Sequence, residues 1–142
     1  MNSTEQSEAI NTDQSQPRWF IDLDWYERNN RSYLLLAHRC MCPKCCEQLK
    51  TNKSEIPAVD LLSTIKDCCS KTPDFITDKL PILESIFRIF LSNGNQPLTI
   101  AELRGQLNER RGDTSRIPDD ILSRLLKSDR YYGLSQVAES GD

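Results

Sequence analysis

The sequence predicts a mainly α protein in two parts: a metal-stapled helical N-terminal module over residues 18–72 and a small helical domain with short β segments over residues 73–138. Three observations carry this expectation. Apolar residues recur at helical spacing through most of the chain after residue 18. All six cysteines, Cys40, Cys42, Cys45, Cys46, Cys68 and Cys69, fall in one part of it together with the only histidine, His38. One segment near the end, Tyr131 to Val137, has the aromatic and β-branched content of a strand.

The 142 residues allow one ordinary domain or two very small ones. Residues 1–17 are rich in Ser, Thr, Gln, Asn and Glu and lack an apolar core of the kind a secretory leader carries, so a disordered tail is expected there. The longest apolar run, Tyr33 to Ala37, is five residues, far short of a membrane span. With no export signal, a reducing, cytoplasmic setting is expected, which favours metal thiolates over disulfides. Lys and Arg against Asp and Glu number 0 to 3 in residues 1–17, 9 to 7 in 18–72 and 9 to 11 in 73–142. No segment has the strong positive excess of a protein that grips duplex phosphates along its length.

The elements follow in order. Asp22 or Asp24 caps a first helix running to about His38, with Leu23, Tyr26, Tyr33, Leu34, Leu36 and Ala37 on its apolar stripe and Trp19, Phe20 and Ile21 as an apolar lead-in. The cysteine run ends this helix, and Cys46 to Ser54 reads as irregular or as a short helical turn. Ser54 or Glu55 opens a second helix, Pro57 in its first turn, that buries Val59, Leu61, Leu62 and Ile65 and delivers Cys68 and Cys69 at its end. After a connector containing Pro73, a third helix from Leu80 or Pro81 to Ser92 is apolar nearly all round and so belongs in the centre. Gly94 suits a left-handed helix cap. Thr99 and Glu102 have the spacing of a capping box that starts a fourth helix, with Leu103 and Leu107 inward, ending near Arg111. Pro118 opens a fifth with Ile121, Leu122, Leu125 and Leu126, and residues 139–142 fray.

Cys42-Pro43-Lys44-Cys45 is the strongest local signal. Two thiolates separated by two residues can reach one ion because a tight turn brings both sulfurs to one side, and proline stiffens that turn. Zinc needs four ligands, and Cys40, Cys42, Cys45 and Cys69 form an all-thiolate set. His38, Cys46 and Cys68 stand in reserve, since adjacent cysteines usually point apart. The crowded thiols also suit an iron–sulfur cluster. Cys46 and Cys68 have a plainer reading as small buried hydrophobes, and His38 as a complement to a helix dipole. Trp19, Trp25, Tyr26, Tyr131 and Tyr132 offer a binding platform or, more simply, core. No Gly-rich phosphate loop or paired carboxylate cluster accompanies the thiols, so no catalytic residue is assigned and an enzyme is not expected.

Residues 81–137 resemble the winged helix-turn-helix superfamily in element order, in the Asn95-Gln96-Pro97-Leu98-Thr99 approach to the second of their helices, and in the Leu125-Leu126-Lys127-Ser128-Asp129-Arg130-Tyr131-Tyr132 exit from the third. The resemblance implies a small winged-helix domain with a short β strand pair. After Val137 only five residues remain, so the second wing strand is expected to be missing or rudimentary, and wing contacts to a minor groove are not expected. The resemblance also implies recognition by the helix around Pro118 to Lys127, with Arg104, Arg110, Arg111, Arg124 and Lys127 facing phosphate. Asp119 and Asp120 at the start of that helix would repel phosphate, although they also match its dipole.

The expected function is therefore that of a non-enzymatic, zinc-binding, transcription- or nucleic-acid-associated adaptor or regulator. Its expected partners are DNA or the transcription machinery and another protein, with no membrane. The alternatives are a protein–protein interaction module without nucleic acid and an iron–sulfur redox-sensing regulator.

Overall fold

A computed structural model describes residues 17–51, 58–111 and 117–137, with only the backbone course given for 48–51 and 58–60. The expected N-terminal tail (apart from Pro17), the Ser54, Glu55 and Pro57 helix start and the frayed C-terminus lie outside the described residues.

The first element is a strand. In β1, Arg18–Ile21, Trp19 and Ile21 are buried while Arg18 is exposed, the two-residue alternation of a strand with one face on a core. The apolar lead-in to a helix is thus a β element. It is the middle strand of an antiparallel sheet, between β2, Leu98–Thr99, and β3, Leu134–Gln136. Trp19 stands opposite both Leu98 and Gln136, and Ile21 opposite Leu134. The expected strand pair is therefore a three-stranded sheet whose centre comes from the N-terminal part of the chain. The expected strand over 131–137 shrinks to 134–136, because Asp129 holds the preceding residues in a turn.

The expected first helix is two. Asp22 caps α1, Leu23–Arg28, by accepting the Asp24 N–H at 3.0 Å, and Ser32 caps α2, Tyr33–His38, by accepting that of Leu35 at 3.1 Å. Between them Asn30 has φ 55°, a left-handed conformation that asparagine tolerates and that ends a right-handed helix. The break turns the expected stripe apart: Tyr26, Leu36 and Ala37 are buried, whereas Leu23 and Leu34 are 47% and 39% exposed.

The cysteine segment is more regular than expected, with α3 spanning Pro43–Thr51. It is followed by α4, Ala58–Asp67, and a 3₁₀ turn, Cys69–Lys71. The third expected helix is α5, Ile82–Ser92, whose Ile86, Phe87, Ile89 and Phe90 are fully buried at the centre of one continuous core. Phe87 meets Tyr33 on one side and Tyr132 on the other. α5 ends in a turn with positive φ at Gly94 and Asn95. The Asn95 side chain accepts the Ile21 N–H at 2.8 Å and donates to the Ile21 carbonyl at 2.9 Å, fastening β1 to this turn.

The capping box forms as read: the Thr99 N–H donates to Glu102 Oε1 at 2.8 Å and the Glu102 N–H to Thr99 Oγ1 at 3.2 Å. It opens α6, Ile100–Arg111, which buries Leu103 and Leu107. Thr99→Ala should cost about 1 kcal/mol, read as a lower urea midpoint at unchanged slope. The last helix, α7, Asp119–Ser128, buries Leu122 and Leu126. Among the described residues no helix is long and apolar enough to cross a membrane.

Candidate metal centre

The site is assembled from two chain segments. After α2 the chain turns through Cys40 to Cys42, whose carbonyl accepts the Cys46 N–H at 3.0 Å and so stands at the N-cap of α3. Pro43 occupies the first helical position, where its missing N–H costs nothing. This start places Cys45 one turn along, with its backbone N–H directed at the Cys42 sulfur. That N–H, followed by contacts from neighbouring thiols, pulls the Cys42 thiol down to about 7. On the other segment Cys68 follows α4 with φ −121° and ψ −63°, outside helical geometry, and Cys69 begins the 3₁₀ turn. The carbonyl of Cys69 accepts both the N–H and the hydroxyl of Thr72, at 3.1 and 2.9 Å, which fixes that turn.

The sulfurs of Cys42, Cys45 and Cys68 all lie within 4.8 Å of one another, and those of Cys45 and Cys68 are 3.5 Å apart. A tetrahedral ion with metal–sulfur bonds of about 2.3 Å sets its ligand sulfurs about 3.8 Å apart, so this spacing fits ligands of one ion. A disulfide would need about 2.0 Å, and all six cysteines are free thiols. Cys69, fully buried, touches the thiols of both Cys42 and Cys45 and takes the Cys42 backbone N–H, yet it lies outside the close trio. Burial pushes the thiols of Cys45 and Cys69 upward. Without a cation these buried sulfurs keep their protons; a divalent ion would supply the charge that stabilises the thiolates. Cys42 and Cys45 are buried and Cys68 is exposed, so the centre opens to solvent at Cys68.

The structure thus brings together Cys42 and Cys45, the pair marked by sequence, with Cys69 beside them and the reserve residue Cys68 among them. It sets Cys40 apart: its sulfur donates to the Leu36 carbonyl at 3.5 Å, and burial pushes its thiol up to about 11. Cys40 lines a cavity of about 130 Å³ with Leu36, Glu84, Phe87, Tyr131 and Tyr132. His38 and Cys46 are not in the trio. The sequence did carry a signal for Cys68. Leu61 and Ile65 are buried on α4, and positions three and four beyond Ile65 are Cys68 and Cys69, so the stripe that faces the core also faces the site.

The candidate phosphate contacts fare differently from one another. Arg110 donates to the Ser70 carbonyl at 2.6 Å, and Arg111 to the carbonyls of Leu80 and Asp78 at 2.6 and 3.0 Å and to Ser85 Oγ at 3.0 Å. Both are internal ties. Arg104 pairs with Asp119, and Arg124 with Asp120 at 3.7 Å, so the acids that open α7 are met by arginines of the fold itself. Lys127 is exposed. No known protein family, curated protein or solved structure matches the chain.

Proposed function

We propose that this chain is a non-enzymatic, nucleic-acid-associated adaptor whose N-terminal helices are held by a structural zinc ion on Cys42, Cys45 and Cys68, with Cys69 as the fourth donor. The observation that carries the reading is the trio of sulfurs within 4.8 Å, drawn from a Cys-Pro-Lys-Cys turn and from the end of another helix. A closed all-sulfur set is the pattern of a structural ion, since a catalytic one keeps a position for water or substrate. Short helices bury little apolar surface, and an ion supplies the missing stability.

The winged-helix reading of residues 81–137 is supported by the order α5, β2, α6, α7, β3. It is also supported by β1, which pairs with both β2 and β3 in a small antiparallel sheet. A protein-interaction module is the second reading, favoured by Leu35 on α2, which is 67% exposed next to exposed Leu34.

Metal analysis of anaerobically purified protein tests the centre. One zinc per chain is expected; iron with inorganic sulfide and a visible charge-transfer band would instead support the cluster reading, and the absence of any metal would end both. Binding of oligonucleotides at low salt, weakening as salt rises, tests the nucleic-acid association.

A further inference from the structure

The arginines of this fold divide by what their N–H groups do. Those of Arg88, Arg110 and Arg111 bond main-chain carbonyls, and Arg104 and Arg124 face carboxylates. Arg31 is held in another way. Its guanidinium lies over the Tyr131 ring, 4.1 Å from the centroid, with the Trp25 ring 6.0 Å away on the other element, and among the described residues its side chain makes no hydrogen bond or ion pair. Arg39 reaches the same ring from the end of α2, its Nη1 3.3 Å from the Tyr131 hydroxyl, and although it lines one cavity with Glu84 it makes no ion pair among the described residues. Stacking fixes a guanidinium while leaving its N–H edge open, and an open fork of N–H donors fits the paired oxygens of a phosphate.

The surroundings preserve that charge. Glu84 is bonded to Arg88 at 3.1 Å. The Asp129 carboxylate is buried and occupied by the N–H groups of Tyr131, Tyr132 and Leu134. Lys127 and Arg130 are exposed on the approach to Tyr131, and Arg28 is exposed on α1, paired with Asp22 at 3.4 Å. Asp24 and Glu27 are the exposed acids of α1. Tyr131 itself is 38% exposed, its ring covered in part by Arg31 and by Tyr132, which packs against it at 4.8 Å, with Arg39 at its hydroxyl.

We propose that Arg31, Arg39 and Tyr131, bordered by Trp25, form a binding surface for single-stranded nucleic acid, the guanidinium groups taking successive phosphates and Tyr131 stacking on an unpaired base. This rests on the nucleic-acid association proposed above, and it moves the contact from the acid-opened start of α7 to the junction of the α1–α2 turn with the turn before β3. Two cations beside one aromatic make too short a stripe to follow a duplex, but they match the phosphate–base alternation of a single strand.

The test is fluorescence anisotropy of a short labelled oligothymidylate with the full-length, metal-loaded protein. Arg31→Gln/Arg39→Gln should weaken binding at least about tenfold and reduce the slope of log affinity on log salt by about 1.4, two phosphates at about 0.7 each. Tyr131→Ala should weaken it about five-fold or more, while Tyr131→Phe, which keeps the ring and loses only the hydroxyl that meets Arg39, should weaken it less. Thermal melts of each variant show that the fold is kept. Undiminished binding by Arg31→Gln/Arg39→Gln overturns the proposal, the more so if Arg104→Gln/Arg124→Gln abolishes it; nucleic-acid association as such then stands. Equal competition by polyglutamate, with no effect of Tyr131→Ala, also overturns it and indicates an acidic protein partner. If wild type binds no oligonucleotide even at low salt, the nucleic-acid reading itself falls.

Discussion

Cys45→Ser should empty the proposed metal centre and unfold the segments it joins. Cys45 touches every other member of the cluster: its sulfur is 3.5 Å from Cys68, its N–H points at Cys42, and its thiol meets that of Cys69. A structural zinc contributes on the order of 10 kcal/mol to small thiolate sites, comparable with the entire stability of a small domain. The expected result is metal content at background, loss of helical circular dichroism from α3 and the end of α4, and a broadened melt. Cys42→Ser should behave alike. Cys68→Ser should weaken the metal strongly, and Cys69→Ser by at least about tenfold, whether its sulfur binds the ion or supports those that do. Cys40→Ala should keep one ion per chain and cost only about 1 kcal/mol, because that thiol fills space against Leu36. A Cys45→Ser protein with full metal content and an unchanged melt would sink the centre. Chelation of wild type should act on the same segments and leave more of the α5–α7 core and its sheet, which supply none of the clustered sulfurs.

Gly133→Ala should be strongly damaging although it adds only one methyl group. Gly133 has φ +68°, and a Cβ built there would come within 2.7 Å of the Tyr26 ring and 3.0 Å of that of Trp25. Neither ring can retreat easily. The Tyr26 hydroxyl donates to the Tyr132 carbonyl at 2.6 Å, and Tyr26 is wedged edge-on between Trp25 and Tyr33. The Gly133 carbonyl accepts the Asp22 N–H at 2.8 Å, so the turn also sets where β1 hands over to α1. Left-handed backbone at a non-glycine residue costs about 1–2 kcal/mol and the ring overlap about 1–3 more. A loss of about 2–5 kcal/mol is expected in urea unfolding. Tyr26→Phe, which removes only the hydroxyl, should cost about 1 kcal/mol. Equal losses from the two substitutions would mean that the hydrogen bond, not the close approach, governs the turn.

Much of the local structure was legible in the order of residues. The Thr99–Glu102 cap, the all-round apolar α5, the inward Leu103, Leu107, Leu122 and Leu126, and the Cys42–Cys45 turn depend on groups a few positions apart, which sequence spacing fixes directly. The break at Asn30 was harder, because asparagine tolerates the left-handed backbone without requiring it. Cys68 stands within the close trio and Cys40 outside it for a related reason. Which of two neighbouring thiols faces an ion depends on the angle at which α4 meets α3, and no spacing rule contains that angle.

By itself the sequence determined the later helices α5 to α7, the Thr99–Glu102 cap and the clustering of thiols, because hydrophobic period and short-range hydrogen bonds act along the chain. Only the tertiary structure decided that Trp19 and Ile21 belong to a strand, since a strand exists only when a partner is there to accept its hydrogen bonds, and those partners, β2 and β3, lie some eighty and more than a hundred residues away. It alone also decided which arginines are spent on the fold and which remain open, because the carbonyls and carboxylates that occupy them come mostly from distant parts of the chain.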